Sequence, residues 1–132
     1  MKENREKGSI AVLTALVMAV VIGITALALD GGYLYFRHLR LQDIADATSL
    51  AAAHEIVETN GNDNKKRDEA FVKAKEYVEK NGLTPGSTTG HTATLVNSKG
   101  EPGTMIVSFP AGVSKVKVDL VFDTGLAFAR IF

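Results

Sequence analysis

The chain of 132 residues contains no cysteine and no tryptophan, has only three prolines, and carries no net charge, because fifteen basic side chains balance fifteen acidic ones. Without cysteine there is no disulfide framework and no thiolate metal site. Balanced charge offers no electrostatic basis for binding nucleic acid or an acidic substrate, so no nucleic-acid partner is predicted. The lack of tryptophan leaves Tyr33, Tyr35 and Phe36 as the aromatic residues for anchoring at a membrane interface.

Charge is also missing from one long stretch, Gly8 to Leu29, which reads GSIAVLTALVMAVVIGITALAL. As a helix it would be about 33 Å long, enough to cross a hydrocarbon core of about 30 Å. It exceeds the apolar part of a secretory signal, which has about 7–15 residues. We therefore predict a transmembrane helix over residues 9–30, with the lipid bilayer as a partner, in preference to a fully buried helix of a soluble protein.

The leader before this stretch, residues 1–8, is short, and its basic residues outnumber its acidic ones. Basic residues near a span favour the cytoplasmic side, so the sequence predicts a cytoplasmic N-terminus and an extracytoplasmic domain over residues 31–132. The leader also resembles those that prepilin peptidases cut, and the cut would fall between Gly8 and Ser9. In the pilin pattern the fifth residue after the cut is glutamate, whereas here it is Leu13, which argues against a major fibre subunit.

Within and just after the span, glycines and one carboxylate are candidate packing and exit residues. Gly23 lies among small residues, Ala11, Ala15, Ala19 and Ala26, a spacing that favours close helix packing in membranes. Asp30, Gly31 and Gly32 follow the span directly. They are interpreted either as an interfacial end of the helix or as a bend that sets how the outer domain leans on the membrane.

Two further helices are predicted from apolar periodicity, over Tyr33 to Glu58 and over Lys65 to Lys80. A turn cluster, Asn60 to Asn64, separates them. Its alternating oxygens suggest a calcium loop, but the sixth position is Lys65 instead of glycine and the twelfth is Phe71 instead of glutamate. A helix-capping loop is therefore the preferred interpretation.

After Gly90 the apolar period becomes two, which predicts three strands: His91 to Val96, Thr104 to Phe109 and Ser114 to Phe122. Turns are predicted at residues 100–103 and 110–112. The expected fold class is α+β, with a long N-terminal helix that crosses the membrane and continues outside. A second helix packs on a small antiparallel three-stranded sheet, which is a pilin-like arrangement in outline.

The residues from Gly8 to Ala53 also resemble a known family. The features are the glycine-led span, the Asp30-Gly31-Gly32 exit, and the run Leu41-Gln42-Asp43-Ile44-Ala45-Asp46-Ala47 before Leu50-Ala51-Ala52-Ala53. This succession resembles the N-terminal module of TadE-like and TadG-like proteins of Tad (Flp-type) pilus systems. The resemblance implies a single-pass protein of the bacterial cell membrane, similar to a short minor pilin. Its implied partners are other pilin-like or pilus-assembly proteins and a prepilin peptidase.

Nothing in the sequence suggests catalysis, and no enzyme activity, cofactor, metal or small-molecule substrate is predicted. His54 to Glu58 reads His-Glu-Ile-Val-Glu, which lacks the second histidine of a zinc-binding helix. His38 and His91 are interpreted as surface residues. Two functions stay open: a structural or accessory subunit of a pilus, and a membrane-tethered binding or adhesin module outside any fibre.

Six residues are candidates for contact with a partner: Leu41, Gln42, Asp43, Asp46, Phe128 and Phe132. Asp43 and Asp46 share one side of the predicted helix, where they would bind a basic partner or form a solvated face. Phe128 and Phe132 belong to an apolar tail after the last predicted strand. A further strand is expected there. Either the native sequence continues beyond Phe132 and supplies it, or the sheet leaves an edge open to a partner's strand.

Overall fold

A computed structural model describes residues 3–123 of the protein, and it describes side chains from residue 10 onward. The elements are two helices and five strands: α1 (Glu3–Glu58), α2 (Asp63–Lys80), β1 (Leu83–Thr89), β2 (Thr92–Asn97), β3 (Pro102–Ser108), β4 (Pro110–Val113) and β5 (Lys117–Phe122). The described residues fall into an N-terminal unit that ends at Phe36 and a C-terminal unit that begins at Arg37, and α1 contributes to both.

The N-terminal unit contains an uncovered apolar helix. An 18-residue window of α1 has a mean hydropathy of 2.7, and none of that window is buried within the protein. The hydroxyl groups of Thr14 and Thr25 donate to the carbonyls of Ile10 and Val21 at 2.9 and 2.8 Å, so both polar groups are satisfied inside the helix. By length and composition this helix fits a single-pass membrane protein.

The C-terminal unit is built around one buried face of α1. Ile44, Thr48, Ala52 and Ile56 recur every four residues and are all buried. α2 begins after Asn62, whose side-chain oxygen accepts from the backbone N–H of Lys65 at 2.9 Å. Its buried face is formed by Ala70, Phe71, Ala74 and Val78.

The sheet is antiparallel throughout, with strand order β1-β2-β3-β5. In the central register Ala93 on β2 pairs with Met105 on β3, which pairs with Leu120 on β5. Side chains on one face alternate with exposed ones and join the helices in a single core. The strand residues in that core are Leu83, Ala93, Leu95, Met105, Val107 and Val118.

The α+β class is confirmed, but the prediction of three strands is wrong, because the sheet has four. The strand missed was β1, in which Leu83 is the one buried residue, so no apolar alternation marks it. Pro85 and Gly86 also disfavour a strand, and the β1–β2 register shifts between Pro85 and Thr88. This is an edge strand, where proline and a bulge are tolerated.

Several predicted boundaries also change. The predicted turn over residues 110–112 is part of β4, and the predicted turn over residues 100–103 overlaps β3, which begins at Pro102. α2 begins two residues earlier than predicted, at Asp63. Gly82, with φ of 82°, follows the end of α2 and allows the chain to enter β1 at once.

Candidate interaction surfaces

The partner-contact candidates of α1 separate into one packed residue and three exposed ones. Leu41 is half-buried and packs against the core of the C-terminal unit. Gln42, Asp43 and Asp46 are exposed. The two carboxylates are therefore available to a partner, whereas Leu41 contributes mainly to packing within the chain.

The exposed side of α1 in the C-terminal unit also carries apolar residues, which the sequence analysis missed. Leu50 and Val57 are 73% and 82% exposed, and Leu39 is 41% exposed. With Asp43 and Asp46 they recur at intervals of three, four or seven residues, so they share one side of the helix. We call these five residues the outer α1 face. The sequence indicates this face by a second set of regularly spaced apolar residues, which lies on a different side of the helix from the buried set.

A polar cluster joins α1 to the β2–β3 turn. The Arg37 guanidinium donates through Nη2 to Glu101 Oε2 at 2.5 Å, and the Asn97 amide donates to the same oxygen at 2.6 Å. Asn97 Oδ1 in turn accepts from the backbone N–H groups of Lys99 and Glu101 at 2.9 and 3.0 Å. These bonds, that of Arg37 above all, hold the pKa of Glu101 below its usual value.

His91 lies between two aromatic rings rather than standing free on the surface. Its ring contacts Phe71 and Phe109 edge-on, with centroid distances of 5.6 and 5.2 Å. His91 Nε2 lies 3.3 Å from Asp68 Oδ1, and the side chain retains 33% of its exposure. The histidine thus connects the β1–β2 turn to α2, and no short motif in the sequence indicated this packing.

Several other charged groups form exposed pairs. His54 Nδ1 and Glu58 Oε2 are 3.5 Å apart, and both side chains are more than 60% exposed. Glu76 accepts from Lys80 and Lys73 along α2, and these bonds lower its pKa to about 2. Among residues 10–123, whose side chains the structure describes, no group of three or more histidine, aspartate or glutamate side chains is placed to hold a metal ion.

In the N-terminal unit, Gly23, Gly31 and Gly32 lie within α1, and an added Cβ at any of them would meet no heavy atom within 4 Å. Asp30 is buried, with 7% exposure. Gly8 and Ser9 belong to the helix by their backbone, but their side chains are outside the described range. Phe128 and Phe132 also lie outside the described residues.

Comparison with known protein families supplies an independent observation about α1. Residues 8–55 match the model of the family described as "Putative Flp pilus-assembly TadE/G-like". We call residues 8–55, which are similar to this family, the TadE/G-like module. The module contains the apolar span, the Asp30-Gly31-Gly32 segment and Leu41 to Asp46, so the family resemblance of the sequence is confirmed. It ends inside α1, three residues before Glu58.

No curated protein and no solved structure matches the chain. The family match therefore bears on α1 alone.

Proposed function

We propose that this protein is a membrane-anchored, minor-pilin-like component of a Tad (Flp-type) pilus and acts by contact, without catalysis. The observation that carries the proposal is the overlap of the TadE/G-like module with an uncovered apolar helix. The module spans residues 8–55, and the apolar window within it has no buried residue. Both observations support a helix that lies in the lipid bilayer and packs against helices of other proteins.

Assembly would use two surfaces, one in each unit. In the span, Gly23 has open space around its Cα and would allow a neighbouring helix to approach closely. Outside, the outer α1 face offers two carboxylates between exposed leucine and valine side chains. Such a face suits a helix of another pilus protein that carries apolar residues and a basic side chain.

A third contact would use the edge of the sheet. Within the described residues β5 pairs with β3 on one side and with no strand on the other. An unpaired strand edge is a template for strand addition. We propose that a pilin-like partner adds a strand beside Lys117–Phe122.

N-terminal processing tests entry into a pilus. If a prepilin-type peptidase acts between Gly8 and Ser9, the protein should lose the mass of residues 1–8. This loss should occur only in cells that contain the peptidase. Gly8→Val should block this loss, while Gly32→Val, a change at an exposed glycine beyond the span, should not. An uncleaved protein in peptidase-containing cells would contradict processing.

Orientation can be tested directly because the chain has no cysteine. Single-cysteine variants Lys2→Cys and Lys115→Cys place one thiol in the leader and one on the exposed β4–β5 connection. Both are made in the Gly8→Val background, which keeps the leader attached. A membrane-impermeant maleimide should then label intact cells at residue 115 and should label residue 2 only after lysis. The reverse pattern would overturn the proposed orientation.

The second candidate function is a tethered binding or adhesin module that stays outside the fibre. Leu13 favours it, since this position lacks the glutamate of the pilin pattern. A photo-crosslinker at Leu50 distinguishes the two functions in native membranes. Crosslinks to other pilus proteins support the pilus component, and a protein that is crosslinked to none of them and keeps its N-terminus supports the tether. Lys115, an exposed position off the outer α1 face, is the control.

A further inference from the structure

The chain contains two Asn-Gly pairs, and they differ in how many hydrogen bonds hold them. Asn60-Gly61 lies in the connection between α1 and α2, and Asn81-Gly82 lies at the end of α2. In any Asn-Gly pair the glycine has no Cβ to hinder attack of its backbone nitrogen on the asparagine side chain. Whether the attack occurs depends on how firmly both groups are held.

At the end of α2 both groups are held. The Asn81 side-chain amide donates to the Tyr77 carbonyl at 2.8 Å, and the Gly82 N–H donates to the Glu79 carbonyl at 2.9 Å. The backbone N–H of Asn81 also donates to Tyr77, at 3.2 Å. To react, Asn81 would have to release its side chain and Gly82 its N–H, so the helix end protects this pair.

In the α1–α2 connection neither group is held. Asn60 and Gly61 are exposed, and among the described residues neither the Asn60 side chain nor the Gly61 N–H makes a hydrogen bond. Gly61 has φ of +150°, a conformation in which side chains are strained and glycine is not.

A lysine lies close to the same pair. The Lys65 ammonium donates to the Asn60 backbone carbonyl at 3.2 Å. Its side chain runs beside Gly61, with Lys65 Cδ 2.9 Å from the position of an added Cβ. A positive charge at this distance favours the negatively charged nitrogen and oxygen that form during the attack.

We propose that Asn60 is a site of spontaneous deamidation in the folded protein. Gly61 N loses its proton to water and bonds to Asn60 Cγ, and the bond from Cγ to Nδ2 then breaks, releasing ammonia. The resulting five-membered imide takes up one water molecule. It opens at one carbonyl to aspartate or at the other to isoaspartate, and no oxidant or reductant is consumed.

The product changes the charge and the chain length of the α1–α2 connection. Either product places a carboxylate two residues before Asn62, near the N-terminus of α2, where negative charge is favourable. Isoaspartate also routes the main chain through Cγ, which adds one backbone carbon between α1 and α2. A chemical change at one exposed residue would thus alter the loop that joins the TadE/G-like module to the rest of the chain.

Site-resolved mass spectrometry of the full chain in detergent tests the proposal. The protein is aged in ¹⁸O-labelled water at mildly alkaline pH, and trypsin then places Asn60 and Asn81 on different peptides, because it cuts after Lys65 and Lys80. Deamidation of Asn81 requires that the hydrogen bonds of its side chain and of the Gly82 N–H break first, which slows the reaction. Asn60 should therefore deamidate at least about tenfold faster than Asn81. The label should enter residue 60, and fragmentation should reveal isoaspartate there.

Controls separate the effect of structure from that of sequence. In denaturant both Asn-Gly pairs lose their contacts, so their rates should converge. Asn60→Gln should remove the early modification from its peptide, and Asn62→Gln, at the capping asparagine, should not. Equal rates at the two sites in the folded protein, or modification of Asn81 before Asn60, would overturn the proposal. So would an Asn60 that stays intact in the folded chain.

Discussion

Arg37 and Glu101 are 64 residues apart in sequence and form an ion pair with a distance of 2.5 Å between Nη2 and Oε2. The Arg37 side chain is 14% exposed and that of Glu101 is 27% exposed. The pair fixes the β2–β3 turn to α1 at the start of the C-terminal unit. Asn97 donates to the same carboxylate, so the three side chains form a polar link between the sheet and the segment of α1 that follows the span.

This ion pair predicts a pH-dependent stability. The pKa of Glu101 is lower in the folded protein than in the unfolded chain, so the pair stabilises the fold above the unfolded value of about 4.3 and is lost as the pH falls through the folded value. Arg37→Gln should destabilise the C-terminal unit at neutral pH, and the stability of the variant should fall less than that of the wild type as the pH is lowered. Below the folded pKa of Glu101 the variant and the wild type should be equally stable.

Urea-dependent pulse proteolysis of the detergent-solubilised chain, repeated at several pH values, measures this effect. Arg40→Gln is the matched control, since Arg40 is exposed and lies one helical turn away. Glu101→Gln should mimic Arg37→Gln, and the double variant should lose little more than either single one. Equal stability of Arg37→Gln and the wild type at neutral pH would contradict the role of the pair.

Patterns that depend on neighbours in sequence predicted most of the fold. The charge-free stretch predicted the apolar helix, and period-two alternation located β2, β3 and β5, because each of these strands buries one face. β1 was not predicted because it buries one residue and shows no alternation of apolar and polar residues. A local pattern reports burial of a face, so an edge strand that is mostly exposed gives little signal.

Contacts between distant residues could not be predicted in this way. Nothing near Arg37 indicates Glu101, and nothing near His91 indicates Phe71 or Phe109. Leu41 shows the same dependence on distant contacts. The sequence predicts it as a residue that contacts a partner, but it is half-buried because the core lies on its side of α1. Exposure of Leu50 and Val57 likewise depends on which side of α1 meets the sheet.

Thr48 gives a second prediction. Its side chain is fully buried, and its hydroxyl has no hydrogen-bond partner among the described residues. An unsatisfied buried hydroxyl is costly, so Thr48→Val, which keeps the shape, should raise the free energy of unfolding by about 1 kcal/mol. Pulse proteolysis measures it, and Thr84→Val on exposed β1 should change it by less than about 0.5 kcal/mol. A loss of stability in Thr48→Val would show that the hydroxyl is bonded.

Gly103 gives a third prediction, because Phe122 covers it. An added Cβ at Gly103 would stand 2.5 Å from two ring carbons of Phe122 and 2.7 Å from the Val121 carbonyl oxygen. Since the backbone contact cannot relax easily, Gly103→Ala should destabilise the C-terminal unit by about 2 kcal/mol. Gly32→Ala, where the added carbon meets no heavy atom within 4 Å, should leave that unit unchanged. Equal urea midpoints for the two variants would contradict this close packing.

The edge of the sheet gives the last prediction. β5 pairs with β3 alone among the described residues, whereas β2 lies between β1 and β3. In an edge strand, successive backbone N–H groups point alternately to the neighbouring strand and to solvent. Hydrogen exchange should therefore alternate between slow and fast from residue to residue along Lys117–Phe122. In β2 most amides should be protected, which provides the control within the same chain. When a partner adds a strand, the fast amides of β5 should become slow.

Val121 provides a variant for this test, because it is 61% exposed on β5. Val121→Lys places a charge on the edge strand, and charges there oppose strand addition, so the partner-dependent protection should disappear while the β3–β5 pairing persists. Thr94→Lys, a comparable exposed change on the inner strand β2, should leave that protection in place. If all six amides of β5 are already protected in the monomeric chain, both sides of the strand are occupied. Strand addition is then excluded, and the span and the outer α1 face are the surfaces left for a partner.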